Sequence, residues 1–137
     1  MHLQYKNTKQ NIQAVQKRAR HVAPHLHNTL ELVYVTEGTL ELGVGQELYH
    51  LETGDMGIIF PDIIHHYQVF GADAHKIYLV NIAAGSIGYF GEELQKYAPV
   101  MPVIKRSELG EEVIYALYRM MLTQEWEFTI LQAYLQI

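Results

Sequence analysis

The sequence predicts a mainly β fold, a small barrel of about eight strands followed by two C-terminal α-helices. Three observations predict it. Short runs rich in β-branched and aromatic residues recur between turn signals from His21 to Ile82. A corner between two of these runs, at Asn28-Thr29, suits a curved rather than a flat sheet. After residue 105 the apolar spacing changes to that of a helix.

Residues 1–11 are mostly polar, with Tyr5 as the one candidate anchor, and are expected to form a mobile arm or an edge strand. Ile12 to Arg20 suits a short helix or a strand equally, because its periodicity favours neither. His21-Val22-Ala23-Pro24 runs extended into His25, since a residue before proline is pushed out of the α region. Residues two apart on a strand share a face, so His25 and His27 point the same way. Glu31 has the same parity, but a straight strand would carry it about 13 Å beyond His27. The chain is therefore expected to bend at Asn28-Thr29, after which Leu30 to Val35 reads as a central strand ended by Thr36-Glu37-Gly38.

From Thr39, Leu40, Leu42 and Val44 alternate with Glu41 and Gly43, and Gly45-Gln46 turns the chain into a returning strand that reaches Glu52. Glu52-Thr53-Gly54-Asp55 is turn chemistry, and Met56 to Phe60 is an apolar run suited to a strand buried on both sides. Pro61-Asp62 ends it. His65 opens the next strand, with His66 on the opposite face. Lys76 to Ile82 is another strand. Ala83 to Pro102 reads as an irregular excursion covering one barrel mouth, and Val103-Ile104 as a closing strand. Ser107 is expected to cap a first helix with Glu108, Glu111 and Glu112 in its first turn and Leu109, Val113, Leu117 and Met120 as its apolar stripe. A second helix is expected from near Glu125 to the end.

Composition bounds the function. Fifteen acidic against ten basic residues give a net charge of −5, the wrong sign for gripping a phosphate backbone unaided. The one basic run, Lys17-Arg18-Ala19-Arg20, is too short for a nucleic-acid arm and reads as solvated surface. With no cysteine, a thiolate metal site and a disulfide framework are both excluded. No stretch resembles a signal peptide or a membrane span, so no membrane partner is expected and a cytoplasmic location is.

The barrel, once closed, would gather His25, His27, Glu31 and His65. Imidazole and carboxylate suit Zn, Ni, Fe or Mn, and such a set would leave coordination positions open. The same residues could instead serve only as a hydrogen-bonded group inside the barrel, with Glu31 accepting from its imidazole neighbours. His2, His21, His50, His66 and His75 are read as packed or solvated. Tyr34, Tyr67 and Tyr78 are read as core or pocket lining in contact with a ligand, rather than as catalytic acids. No nucleophile-and-base constellation and no glycine-rich phosphate loop are present.

The spacing H-x-H, three residues, E, six residues, G, met by His25, His27, Glu31 and Gly38, resembles the first motif of the cupin family. Gly54, Asp55, Pro61 and His65 resemble its second motif. Ala19 stands where a glycine is usual, Phe60 occupies the proline slot, Asp62 replaces the last glycine and Val69 the closing asparagine. The resemblance implies a double-stranded β-helix, or jelly-roll, barrel. More narrowly, residues 20 to 137 resemble the amino-terminal sensor domain of AraC-type transcription regulators, which pair a strand like E-L-V-Y-V-T-E-G with a later P-x-x-x-H and follow the barrel with two helices.

That resemblance implies a ligand-binding barrel with its arm over residues 1–105, a helical dimerisation segment over 106–137, and a DNA-reading helix-turn-helix domain outside this chain. It implies a small-molecule effector, a homodimer, and no turnover. The alternatives are a free-standing cupin metalloenzyme of the dioxygenase or isomerase type, and a cupin that only binds and stores a small molecule. On the last helix, Phe128, Leu131 and Leu135 share one face while Trp126, Ile130, Tyr134 and Ile137 gather nearly opposite. Two apolar faces need two partners, so Trp126, Ile130, Leu131 and Tyr134 are the expected dimer contact.

Overall fold

A computed structural model describes residues 4–6, 12–83 and 101–122. Its strands are β1 (Gln4–Lys6), β2 (Ile12–Arg18), β3 (Val22–His27), β4 (Thr29–Glu37), β5 (Leu40–Val44), β6 (Glu47–Leu51), β7 (Met56–Ile59), β8 (His65–Gln68), β9 (Lys76–Ala83) and β10 (Val103–Ile104). They form two five-stranded sheets, ordered β1-β3-β8-β5-β6 and β10-β7-β4-β9-β2. All pairings are antiparallel except that of β1 with β3. The expected mainly β architecture is present, with ten strands among the described residues rather than about eight.

The extra strands resolve two open readings. Ile12–Arg18 is a strand, hydrogen-bonded along its length to β9, and Gln4–Lys6 is an edge strand on β3. The chain breaks at Asn28, where β3 ends and β4 begins, so it turns the expected corner and passes from one sheet to the other.

Parity sorts the side chains of the second sheet into two apolar layers. Val33 and Val35 of β4, Ile77 of β9 and Ile59 of β7 face the barrel interior with Leu40, Leu42 and Leu51 of the other sheet. The three leucines are fully buried, each stabilising the fold by about 2 kcal/mol. Leu30, Met56, Val80 and Ile82 face the other way, together with Ala14 and Leu117. Met56–Ile59 is thus apolar throughout because it is covered on both faces.

The outer layer is covered by α1 (Glu111–Leu122), whose Ala116 and Leu117 are buried. The expected cap at Ser107 is not formed. Arg106–Glu108 is a short 3-10 turn, Leu109 returns to an extended conformation, and the helix starts only after Gly110. Leu109 packs on the outer core from outside the helix, and Val113 is exposed, so the stripe runs through Ala116 and Leu117 instead. The 3-10 turn is held by Asp55, whose Oδ1 accepts the Arg106 N–H at 2.7 Å, and that contact fixes where the chain can begin to wind. The expected second helix, with Phe128, Leu135 and Ile137 and the dimer residues Trp126, Ile130, Leu131 and Tyr134, lies outside the described residues, as does the excursion over 84–100. No described helix is long and apolar enough to cross a membrane.

Candidate functional site

Three backbone features deliver the histidines. The register of β3 on β8 sets His25 directly opposite His65. The turn after β7 hydrogen-bonds to the end of β3, with the Asp62 N–H donating to the His27 carbonyl at 2.8 Å. Asp62 has φ 64, a left-handed conformation that asparagine, aspartate and glycine tolerate best. Aspartate at the motif's glycine position therefore preserves the turn, with Pro61 before it presetting φ.

His25, His27 and His65 are all buried, and one nitrogen from each lies within 4.8 Å of the others. Glu31 is buried beside them at 3 % exposure. Its Oε1 is 3.2 Å from His27 Nε2, its Oε2 is 3.2 Å from His65 Nε2, and Tyr67 donates its hydroxyl hydrogen to Oε2. All four expected ligand positions thus come together, with Glu31 bonded against the imidazoles.

The remaining ring nitrogens decide what this arrangement can do. A backbone carbonyl only accepts, so His25 Nδ1, 2.8 Å from the Ala23 carbonyl, and His65 Nδ1, 2.9 Å from the Ile63 carbonyl, both carry hydrogen. Thr29 spends its one hydroxyl proton on Asn81 Oδ1 at 2.8 Å, so its oxygen accepts from His27 Nδ1 at 2.7 Å. In the neutral rings every Nε2 then holds a free lone pair. His65 Nε2 is buried and makes no hydrogen bond, because its approach to Glu31 has ion-pair distance without hydrogen-bond alignment.

Lone pairs facing an ionised carboxylate need a cation between them, either ring protons or a metal ion. Burial would raise the Glu31 pKa, but the close approach of the His27 and His65 rings and the Tyr67 hydroxyl outweigh it and hold the carboxyl well below its usual range. Burial is the largest influence lowering the His25 pKa, helped by the neighbouring His65 and His27 and opposed by the Ala23 carbonyl and Glu31. Tyr67 is pushed well above 10 by burial and by the Glu31 charge, so it stays a donor. Three converging imidazole nitrogens, tautomers fixed from outside and an ionised carboxylate alongside fit a divalent transition metal.

His25, His27 and Glu31 of the group line a cavity of about 550 Å³, together with Thr29, Tyr67, Leu79 and Asn81. Of the three candidate tyrosines only Tyr67 is there. Tyr34 and Tyr78 are paired across β4 and β9, their rings 6.2 Å apart, on the outer face, where they line a groove with Ile114, Tyr115 and Tyr118 of α1. Parity separates them: Tyr67 is two residues from His65, whereas Tyr34 is three from Glu31. Sequence reading passed over Thr29 and Asn81, although a polar residue inside the run Ile77-Tyr78-Leu79-Val80-Asn81-Ile82 is itself a signal. Of the other histidines, His2 lies outside the described residues, and His21 is exposed at the edge of the cavity with its ring 6.0 Å from Phe70. His50 contacts Glu41 on the surface, His66 packs against Gly43, and His75 Nδ1 accepts the Thr39 N–H at 3.0 Å.

The sequence profile of the AraC-like ligand binding domain matches residues 12–129. No curated protein matches. Among solved structures, a cupin-2 domain protein from Shewanella frigidimarina is 22 % identical with a TM-score of 0.47, over 55 % of this chain and 74 % of that one. A protein with a double-stranded β-helix domain from Klebsiella pneumoniae is 23 % identical with a TM-score of 0.49, over 53 % of this chain and 64 % of that one. Oxalate decarboxylase from Bacillus subtilis, with Mn(II) centres, is 15 % identical with a TM-score of 0.48; 75 % of this chain spans 36 % of that one.

Proposed function

Because the chain belongs to the AraC-like ligand binding domain family, we propose that it is the effector-sensing and dimerising part of a DNA-binding transcription regulator. A small molecule binds inside the barrel beside a divalent metal held by His25, His27 and His65, with Glu31 as fourth ligand or counter-charge. The observation that carries this reading is the convergence of one nitrogen from each of three buried histidines whose Nδ1 atoms are committed elsewhere, with His25 and His27 lining a cavity large enough for a small organic molecule. A bound Zn, Ni, Fe or Mn ion would supply a Lewis-acidic position for an oxygen or nitrogen of the ligand. The protein's own part is to fix the tautomers through Ala23, Ile63 and Thr29 and to exclude bulk water with the aliphatic walls.

The role is binding rather than turnover, and DNA reading falls to a helix-turn-helix unit beyond these residues, since a net charge of −5 opposes phosphate contact. The two-faced segment bearing Trp126, Ile130, Leu131 and Tyr134 is the proposed dimer contact. Elemental analysis of protein purified without chelator tests the metal, with roughly one ion per chain expected and none in His27→Ala. Absence of metal after added Zn or Ni would remove it. Oxygen-consuming turnover, or tight sequence-selective DNA binding by residues 1–137, would overturn the regulator reading. Sedimentation equilibrium tests the dimer, which charged substitutions at Leu131 and Tyr134 should dissociate.

A further inference from the structure

The three cations of the basic run Lys17-Arg18-Ala19-Arg20 are exposed, as expected of a solvated face, and the whole run also lines the mouth of the histidine cavity. Ala19 is the pivot. Its side chain is buried and its N–H donates to the His75 carbonyl at 2.8 Å, which holds the cations on either side at the opening. Lys17 lies opposite Ile77 on β9 and shares its inward parity, as Gln13 does with Asn81.

The charge distribution is lopsided. Three of the ten basic residues of an acidic protein line one cavity, where among the described residues Glu31 is the only lining carboxylate, and it already lies against His27 and Tyr67. Among the described residues Lys17, Arg18 and Arg20 have no side-chain hydrogen bond or ion pair, whereas Lys76 is 3.5 Å from Glu37 and Lys105 is 3.3 Å from Asp55. Cations gathered at one opening repel one another and raise a positive potential there. An anion relieves that repulsion, and guanidinium groups grip carboxylates through paired hydrogen bonds.

We infer that the cavity takes a small organic acid whose carboxylate pairs with Lys17, Arg18 and Arg20 at the mouth while its body lies along Asn81 and Gln13 toward the histidines. This rests on the reading of the cavity as an effector site. Glu31, Asn81 and Gln13 are successive Cα partners across three strands, so Gln13 is about 10 Å from Glu31, a span that suits a compact acid rather than a polymer.

Isothermal titration calorimetry of the zinc-loaded protein with benzoate, hexanoate and succinate, each against its neutral amide at constant ionic strength, tests it. At least one acid should bind roughly tenfold or more tightly than its amide, and Lys17→Gln/Arg20→Gln should lose that advantage while binding zinc as the wild type does. Amides binding as well as acids, all three acids failing to bind at about 10 mM, or the double variant keeping its acid affinity would overturn it. The outcomes separate the two readings: amide binding in the cavity leaves the effector site standing without the anion preference. Acid binding that needs the cations but survives His27→Ala leaves the anion preference standing without the metal.

Discussion

His65 Nε2 stands 3.2 Å from Glu31 Oε2 with its lone pair unshared, because the other nitrogen of the same ring donates to the Ile63 carbonyl. A cation at that point relieves the conflict, and pH decides which cation. Metal binding requires neutral imidazoles, so occupancy should hold at pH 7 and fall below about pH 6. The lowered pKa of His25 also affects the metal-free fold. Folding keeps this ring neutral where the unfolded chain takes up a proton, so the folded state binds fewer protons and stability drops as pH falls below 6.5. Zinc titration and urea denaturation between pH 8 and pH 5 should both move in this direction.

Thr29→Val keeps the β-branched shape but removes the acceptor that holds His27 Nδ1–H. The His27 tautomer is then free, and zinc affinity should weaken by roughly 10–100-fold with the fold retained. Competition with a chromogenic chelator measures it; an unchanged affinity would show that Thr29 only packs.

Much of the site was legible because it depends on spacing. His25, His27, Glu31 and His65 were assigned from strand parity, the corner at Asn28-Thr29 and the resemblance of their spacing, and the structure brings them together. Parity also separates Tyr34 from Tyr67: its odd separation from Glu31 sends it to the outer face, where it packs on the outer core and lines the groove there rather than the histidine cavity. The helix start was misread for a different reason. Ser107 has the composition of a cap, but the chain there is held by Asp55, a residue some fifty positions earlier, and local sequence carries no trace of that contact. The position of the basic run at the cavity was hidden in the same way, because only the pairing of β2 with β9 turns Lys17 toward it.

Gly38→Ala should destabilise the protein, although replacing a glycine stabilises a chain where the backbone permits it. Gly38 has φ 76, and an added Cβ would lie 2.7 Å from the Ala74 carbonyl oxygen and 2.5 Å from His75 Nδ1. The left-handed backbone costs about 1 kcal/mol for alanine, and displacing a carbonyl adds to that, for a total of about 2–4 kcal/mol. The His75 ring, which accepts the Thr39 N–H, would have to move as well. Urea denaturation at neutral pH reads the change; a loss under about 0.5 kcal/mol would mean that the turn relaxes freely.

Asp55 supports the fold from the turn that precedes β7. Its carboxylate accepts the Glu52 N–H at 2.9 Å, the Arg106 N–H at 2.7 Å and the Lys105 ammonium at 3.3 Å, joining its own turn to the segment that leads into α1. Burial alone would raise its pKa; those N–H donors and the Lys105 charge reverse the effect and lower it below 3.8. A carboxyl whose pKa falls on folding stabilises the folded state fully above its unfolded value, and the contribution disappears as pH falls through the folded one. Asp55→Asn keeps the shape but loses the charge and one acceptor, so it should cost about 1–3 kcal/mol at pH 7. The deficit should stay constant down to about pH 5 and shrink below pH 4, as the wild-type carboxyl takes up its proton. Paired urea titrations of the two proteins from pH 7 to pH 3 measure this convergence. A gap that persists unchanged at pH 3 would assign the effect to altered packing, because a lost charge cannot outlast the protonation of its wild-type counterpart.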